Sequence, residues 1–292
     1  MNFRSDLALE CREPVAGQDQ QGLCCQEEEH EDYHLTRLEV LDAAGVKAIG
    51  KPVGTYITIE LPPLGEYADV YGPGMECAAD ELRRMLPPGG PVLVAGLGND
   101  NMTPDALGPR CCALVLATRH IAGELAKSAG LGHLRPVMCL TPGVLGRTGM
   151  ESAELVAAAV RATKPAAVLT VDALAARKLS RLGCTIQLSD SGIVPGSGVG
   201  NARQELSRGT LGVPVVSLGV PTVVDAATLV ADLAEIDINA PPVAPPAESA
   251  GMMVTPREVD LLIERAAKLC AMAINRALQP HLTIEDFLEL VE

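Results

Sequence analysis

The chain has 292 residues, enough for one large α/β domain or two small ones. Its residues are 48% hydrophobic but only 2% aromatic, with no Trp, so a sizeable core must be built from Val, Leu, Ile and Ala. A formal charge of -14 argues against direct nucleic-acid binding, which needs clustered Lys and Arg and, for single strands, aromatic stacking platforms.

The first residues, MNFRSDLALECRE, lack the apolar run of a signal peptide, and no stretch reaches the roughly 18 apolar residues of a membrane span. The nine cysteines are odd in number, form two adjacent pairs and contain no C-x-x-C. Cys111, Cys112, Cys139 and Cys270 sit among apolar neighbours and read as small core residues. A reducing cytoplasm is the expected compartment.

Residues 11–32 are polar and acidic and read as a loosely packed surface segment. From Leu35 to about residue 62 the text alternates as strands do, with Gly-Lys-Pro and Val-Gly turns between them. Residues 76–86 predict a short amphipathic helix ended by PPGG. The apolar run 91–98 predicts a strand, and 103–125 a helix with Thr103 as N-cap and Pro104 in the first turn. Strands follow over 137–140, 166–174, 184–189 and 213–220, with a helix over 151–162. Apolar strands separated by helices predict an α/β fold with a twisted, mostly parallel sheet flanked by helices.

Residues 239–251 form a Pro/Ala-rich loop. Thr255 to Glu258 spell a capping box for a helix with the stripe Val259, Leu262, Ile263, Ala266, Leu269, Cys270, Ala273 and Ile274. A last short helix closes the chain. The whole reads as one domain over 1–292: a variable N-terminal segment (1–34), a strand-rich part (35–90), an α/β core (91–226) and a C-terminal loop with helices (227–292).

Ligands of open α/β sheets gather at the carboxyl ends of the strands. GLGNDNMTPDALGP (96–109) and TVDALAAR (170–177) each put a carboxylate there, Asp105 and Asp172. Two such groups can separate their pKa values, one serving as base and the other as acid in peptide hydrolysis. Either could instead complement a helix dipole or cap a helix, and Asp100, Asp190 and Asp225 occupy comparable positions, so spacing does not select the pair. Gly96, Gly98 and Asn99 of the first loop, with Ser191, Gly192, Gly196, Ser197 and Gly198 of the glycine-rich loop 189–203, are expected to bind substrate or support the loops. A dinucleotide reading of GLGN is a weak signal, since Asn101 stands in the place of the third glycine.

His30-Glu31-Asp32-Tyr33-His34 matches H-E-x-x-H, a zinc protease motif that operates on a core helix. The preceding Gln26-Glu27-Glu28-Glu29 carries no apolar stripe, so the match reads as a coincidence of an acid-rich run.

Several blocks together resemble the spore germination protease family: RSDLALE (4–10), AIGKPVGTYITIE (48–60), VAGLGNDNMTPDALGP (94–109), LTPGVLGRTGMES (140–152), the run 171–203, and LGVPVVSLGVPTVVDA (212–226). The resemblance implies an endopeptidase that starts the degradation of small acid-soluble spore proteins during germination, in the forespore and spore core. It implies a fold similar to the hydrogenase maturation endopeptidases and an atypical aspartic mechanism on Asp105 and Asp172. It also implies a homotetramer and a zymogen processed between Arg4 and Ser5, ahead of Ser5-Asp6-Leu7-Ala8. No cofactor, metal, nucleic acid or membrane partner is expected. The rival readings are a metal-dependent peptidase of the hydrogenase-maturation type, a Rossmann-like nucleotide-binding enzyme, and an inactive relative that only binds spore proteins.

Overall fold

The computed structural model describes residues 5–13, 21–65, 69–121, 134–196, 203–233 and 251–291. In chain order the elements are α1 (Ala8–Arg12), β1 (Leu23–Glu29), β2 (His34–Val40), α2 (Ala43–Ile49), β3 (Gly54–Glu60), α3 (Pro73–Met85), β4 (Val92–Gly96) and α4 (Leu107–Leu114). There follow β5 (Val137–Leu140), α5 (Leu145–Thr148), α6 (Ser152–Thr163), β6 (Ala167–Ala176), β7 (Thr185–Ser189), α7 (Arg208–Leu211) and β8 (Val215–Asp225). The chain closes with α8 (Ala226–Leu233), β9 (Met253–Val254), α9 (Val259–Leu278) and α10 (Ile284–Val291).

The strands form one sheet in the order β1-β2-β3-β7-β8-β6-β4-β5, with β9 on β8. The expected parallel core is present as β5-β4-β6-β8. The sheet as a whole is mixed rather than mostly parallel, because β8-β7-β3-β2-β1 run antiparallel and β9 adds another antiparallel pair. Connection length explains the switch at β7. Residues 177–184 are too few for a parallel crossover, which takes about a dozen residues or more, so the chain returns antiparallel.

Helices cover both faces. On one, Ile57, Ile59, Val92, Val94, Leu169, Val171, Ile186, Leu188, Val216 and Leu218 pack beneath α3, α4 and α9. On the other, Leu93, Ala95, Leu97, Val168 and Val215 meet Ala153, Val156 and Val160 of α6. Alternating residues of each strand thus serve opposite faces, as the pleat requires. The α9 stripe is buried apart from half-buried Val259, and the burial extends around the second half of the helix. Asn275, although buried there, accepts from the Leu116 amide at 2.9 Å and donates to the Leu114 carbonyl at 3.1 Å. Among the described residues no helix is long and apolar enough to cross a membrane.

Four local expectations are corrected. Residues 23–29, read as loose acidic surface, form the edge strand β1, paired along its whole length with β2. Its charges are partly met by ion pairs, Glu27 with Arg12 and Glu28 with Arg37. Helix α2 stands within text that reads as alternating strands and turns, capped by the Asp42 carboxylate on the Ala44 and Gly45 amides at 2.8 and 3.1 Å. The helix predicted over 103–125 is a single 3₁₀ turn, Thr103–Asp105, followed by α4, which ends at Leu114; residues 122–133 lie outside the described residues. Thr255 does not cap α9: its hydroxyl donates to the Thr222 carbonyl at 2.9 Å, and α9 starts at Val259 with no side-chain cap. The predicted loop 239–251 falls outside the described residues up to 250.

Candidate active site

Close backbone packing sets the first carboxylate. β4 ends at Gly96, and the Leu97 amide then donates to the Val171 carbonyl of β6 at 2.8 Å, keeping the chain beside that strand. At Gly98 the backbone turns with φ +108°, a region that favours glycine, and a Cβ there would lie 2.1 Å from the Asp105 carbonyl oxygen. The loop folds back on itself through Asn99 N to Asp105 O (2.9 Å), Met102 N to Asn99 O (3.0 Å) and Asp105 N to Met102 O (2.8 Å). Thr222 of β8 fastens it from the far side by donating to the Pro104 carbonyl at 2.7 Å. The Asn99 amide is therefore engaged within the loop, which is not how a dinucleotide phosphate would use it.

The second carboxylate, Asp172, sits on β6 opposite Gly219 of β8. A Cβ at Gly219 would come within 2.8 Å of the Asp172 carbonyl and 2.6 Å of Leu174, so glycine there admits the crowded neighbours. Asp172 is only 5% exposed, and its Oδ1 accepts from the Ala173 amide at 3.0 Å.

Asp105 and Asp172 line one cleft of about 780 Å³. Burial raises the half-buried Asp105 to about 6, against the opposing pull of the Asn99 amide and Arg203. Burial also pushes Asp172 well above the carboxylate range; the charge of Asp105 and then that of Asp6 add to this, while the Ala173 amide and Arg203 oppose it. Such a pair ionises in two steps, one carboxylate charged while the other still holds its proton. That is an arrangement able to take a proton from water and give one to a leaving group.

Of the other carboxylates that spacing left open, none is among the residues lining this cleft. Asp190 accepts from the Thr55 amide at 2.7 Å, Asp225 caps α8 through Thr228, and Asp100 is exposed in its loop. Gly98, Asn99, Ser191, Gly192 and Gly196 line the cleft. Gly96 lies beneath it, pressed on α4: a Cβ there would be 2.2 Å from the Gly108 carbonyl. The glycine-rich loop is pinned at its base by reciprocal bonds between Ile193 and Leu206, at 2.9 and 2.8 Å. Ser197 and Gly198, like Arg4, lie outside the described residues. Ser5 is not among the lining residues; its hydroxyl bonds Glu10 and accepts from the Leu7 amide at 3.0 Å.

Sequence reasoning missed several further polar residues of the cleft, among them Asp6, Lys51, Tyr56 and Arg203. No spacing rule joins them: Lys51 and Tyr56 share one short stretch, but Asp6 and Arg203 come from distant parts of the chain. Asp6 and Lys51 nevertheless stood inside blocks of distinctive text, RSDLALE and AIGKPVGTYITIE.

The H-E-x-x-H match is the turn of the β1–β2 hairpin. Glu29 pairs with His34, the His34 ring bonds Glu29 at 2.6 Å, and the His30 ring stacks on Tyr33 at 4.3 Å. An exposed hairpin cannot present both rings and the glutamate as a zinc helix does. Among the described residues no group of three or more His, Cys, Asp or Glu is gathered to hold a metal ion.

The sequence profile of the germination proteases matches residues 6–238. A germination protease of Caldanaerobacter subterraneus subsp. tengcongensis is 41% identical over alignments that cover 100% of this chain and 98% of the relative. One from Clostridium acetobutylicum is 38% identical, with 98% of each chain covered. A third, from Geobacillus sp., is 41% identical over 79% of this chain and 66% of the relative.

Proposed function

This chain belongs to the germination protease family and is a peptidase, and on that premise we propose that it is the endopeptidase that begins breakdown of small acid-soluble spore proteins, using Asp105 and Asp172. The observation that carries the mechanism is the meeting of these two carboxylates, both with raised proton affinity, in one cleft. Asp105, the more acidic of the two, is ionised near neutral pH and draws a proton from a water molecule as its oxygen attacks the peptide carbonyl carbon. Asp172 holds its proton until the C–N bond breaks and then passes it to the departing amine. The dyad finishes with its single proton moved from Asp172 to Asp105, and exchange with solvent restores it.

The same reading includes a fold like that of the hydrogenase maturation endopeptidases and an atypical aspartic type. It further includes a zymogen, a homotetrameric working form, and residence in the forespore and spore core. The test of the substrate is direct. Purified protein incubated with small acid-soluble spore proteins should yield internal fragments, seen by mass spectrometry, before free amino acids appear. Intact spore proteins, under conditions where another unfolded protein is cut, would remove the substrate assignment.

A further inference from the structure

Beyond Val171, where pairing with β4 ends, the edge of β6 on that side has no strand partner among the described residues. Its amides are not left bare. Ala173 N donates to the Asp172 carboxylate at 3.0 Å, Ala175 N to the Asp6 carboxylate at 2.9 Å, and Arg177 N to the Glu10 carboxylate at 2.7 Å. Three successive edge amides thus each meet a carboxylate, two of them supplied by the N-terminal segment. The middle contact falls where the β6–β8 register shifts, between Leu174 and Ala175.

Asp6 is fastened on every side of its backbone. Its amide donates to the Ala175 carbonyl at 2.9 Å, which with the side-chain bond makes a two-point clasp on one residue of β6. Its own carbonyl accepts from Lys51 Nζ at 2.9 Å and from Gln187 Nε2 at 3.0 Å. Gln187 in turn accepts from the Ala8 amide at 2.6 Å, and Glu10, 1% exposed, also takes the Lys178 amide at 2.8 Å. The segment Asp6–Glu10 therefore stands in for the missing strand, and it brings Asp6 to the wall of the cleft that holds Asp105 and Asp172.

We propose that Asp6 is a positioning residue for Asp172: by clasping Ala175 it fixes the irregular stretch of β6 and keeps the Asp172 carboxylate on its own amide. This rests on the two-aspartate reading above. Without Asp6, the Ala175 amide lacks its acceptor at the bulge, and an unsatisfied buried donor is costly enough to reshape the strand locally. The charged groups that act on Asp172 are Asp105 from the 3₁₀ turn, Asp6 from the N-terminal segment and Arg203 from the end of the glycine-rich loop. Lys51 and Glu205 share the cleft wall.

Asp6→Ala and Asp6→Asn in the full chain test this, assayed on a small acid-soluble spore protein beside Asp172→Asn. Asp6→Ala should lower kcat by about tenfold or more with KM little changed, the mark of lost alignment rather than lost binding. Asp6→Asn keeps an acceptor for Ala175 and should recover most of kcat. Because it lacks the charge, the alkaline limb of its kcat–pH profile should move to lower pH while the acid limb stays in place. Parental kcat and pH limbs in both Asp6 variants, with Asp172→Asn inactive, would overturn the role of Asp6 alone. Equal impairment of the two variants, with a lowered Tm and unmoved pH limbs, would reduce Asp6 to fold support and also overturn it. An active Asp172→Asn would remove the two-aspartate reading and the inference with it.

Discussion

Asp105→Asn and Asp172→Asn should each lower turnover by about a hundredfold or more, the usual scale for a lost acid or base. Asparagine keeps the volume of the side chain and an oxygen for the local amide, so at Asp172 the bond from Ala173 can persist. What disappears is the capacity to exchange a proton. Folding should survive both changes, because in each case a buried or half-buried ionisable group is replaced by a neutral one. The effects should also be far from additive, since base and acid act on one reaction coordinate and losing either stalls it. Near-parental cleavage by either variant, purified and folded, would exclude that residue from the chemistry.

The second large effect is expected at Gly108, in the first turn of α4. A Cβ there would meet the Leu97 carbonyl at 2.2 Å, the Leu97 amide nitrogen at 2.5 Å and the Val171 carbonyl at 2.5 Å. All three are backbone atoms, just past the end of β4 and within β6, and none can swing aside as a side-chain tip would. Gly108→Ala must therefore lift α4 from β4 and β6, which should cost more than about 3 kcal/mol. Since α4 starts directly after Asp105, the displaced helix should carry that carboxylate away from Asp172 and depress turnover as well. Gly89→Ala is the control: nothing lies within 4 Å of its added Cβ, and its stability should stay within about 0.5 kcal/mol of the parent. Urea denaturation midpoints compare the two. Equal midpoints for Gly108→Ala and the parent would show that the helix has room that this packing denies it.

The parallel core was the readable part of the fold. β4, β6 and β8 are almost wholly buried, so their sequences are predominantly apolar, and α9 carries a long stripe; β5, at the sheet edge, is buried only at Val137. β1 was hidden because an edge strand is held by backbone pairing to one neighbour, and polar side chains suit its open side. α2 was hidden by its length, Ala43–Ile49, too short for a helical period to stand out, with Gly45 inside it and Gly50 ending it.

The site was legible to a similar degree. Strand-end logic marked Asp105 and Asp172 among several carboxylates, and the tertiary arrangement brings these two together because β4 and β6 are neighbours in the sheet. Asp6, Lys51 and Arg203 reach the same cleft only through the way the N-terminal segment, the α2–β3 connection and the end of the glycine-rich loop pack around it. No local pattern encodes such long-range convergence.

The central claim is that the two aspartates ionise apart, one charged and one protonated, near neutral pH. It is tested most directly by following carboxyl-carbon NMR signals of labelled aspartate through a pH titration of the parent and of Asp105→Asn. The account predicts that the Asp105 signal, assigned by its loss in the variant, titrates near 6. Asp172 should still be protonated when Asp105 has ionised, and its midpoint should fall in Asp105→Asn, where the neighbouring charge is gone. Both carboxyls titrating near the ordinary value of about 4, with Asp172 unmoved by the substitution, would contradict it.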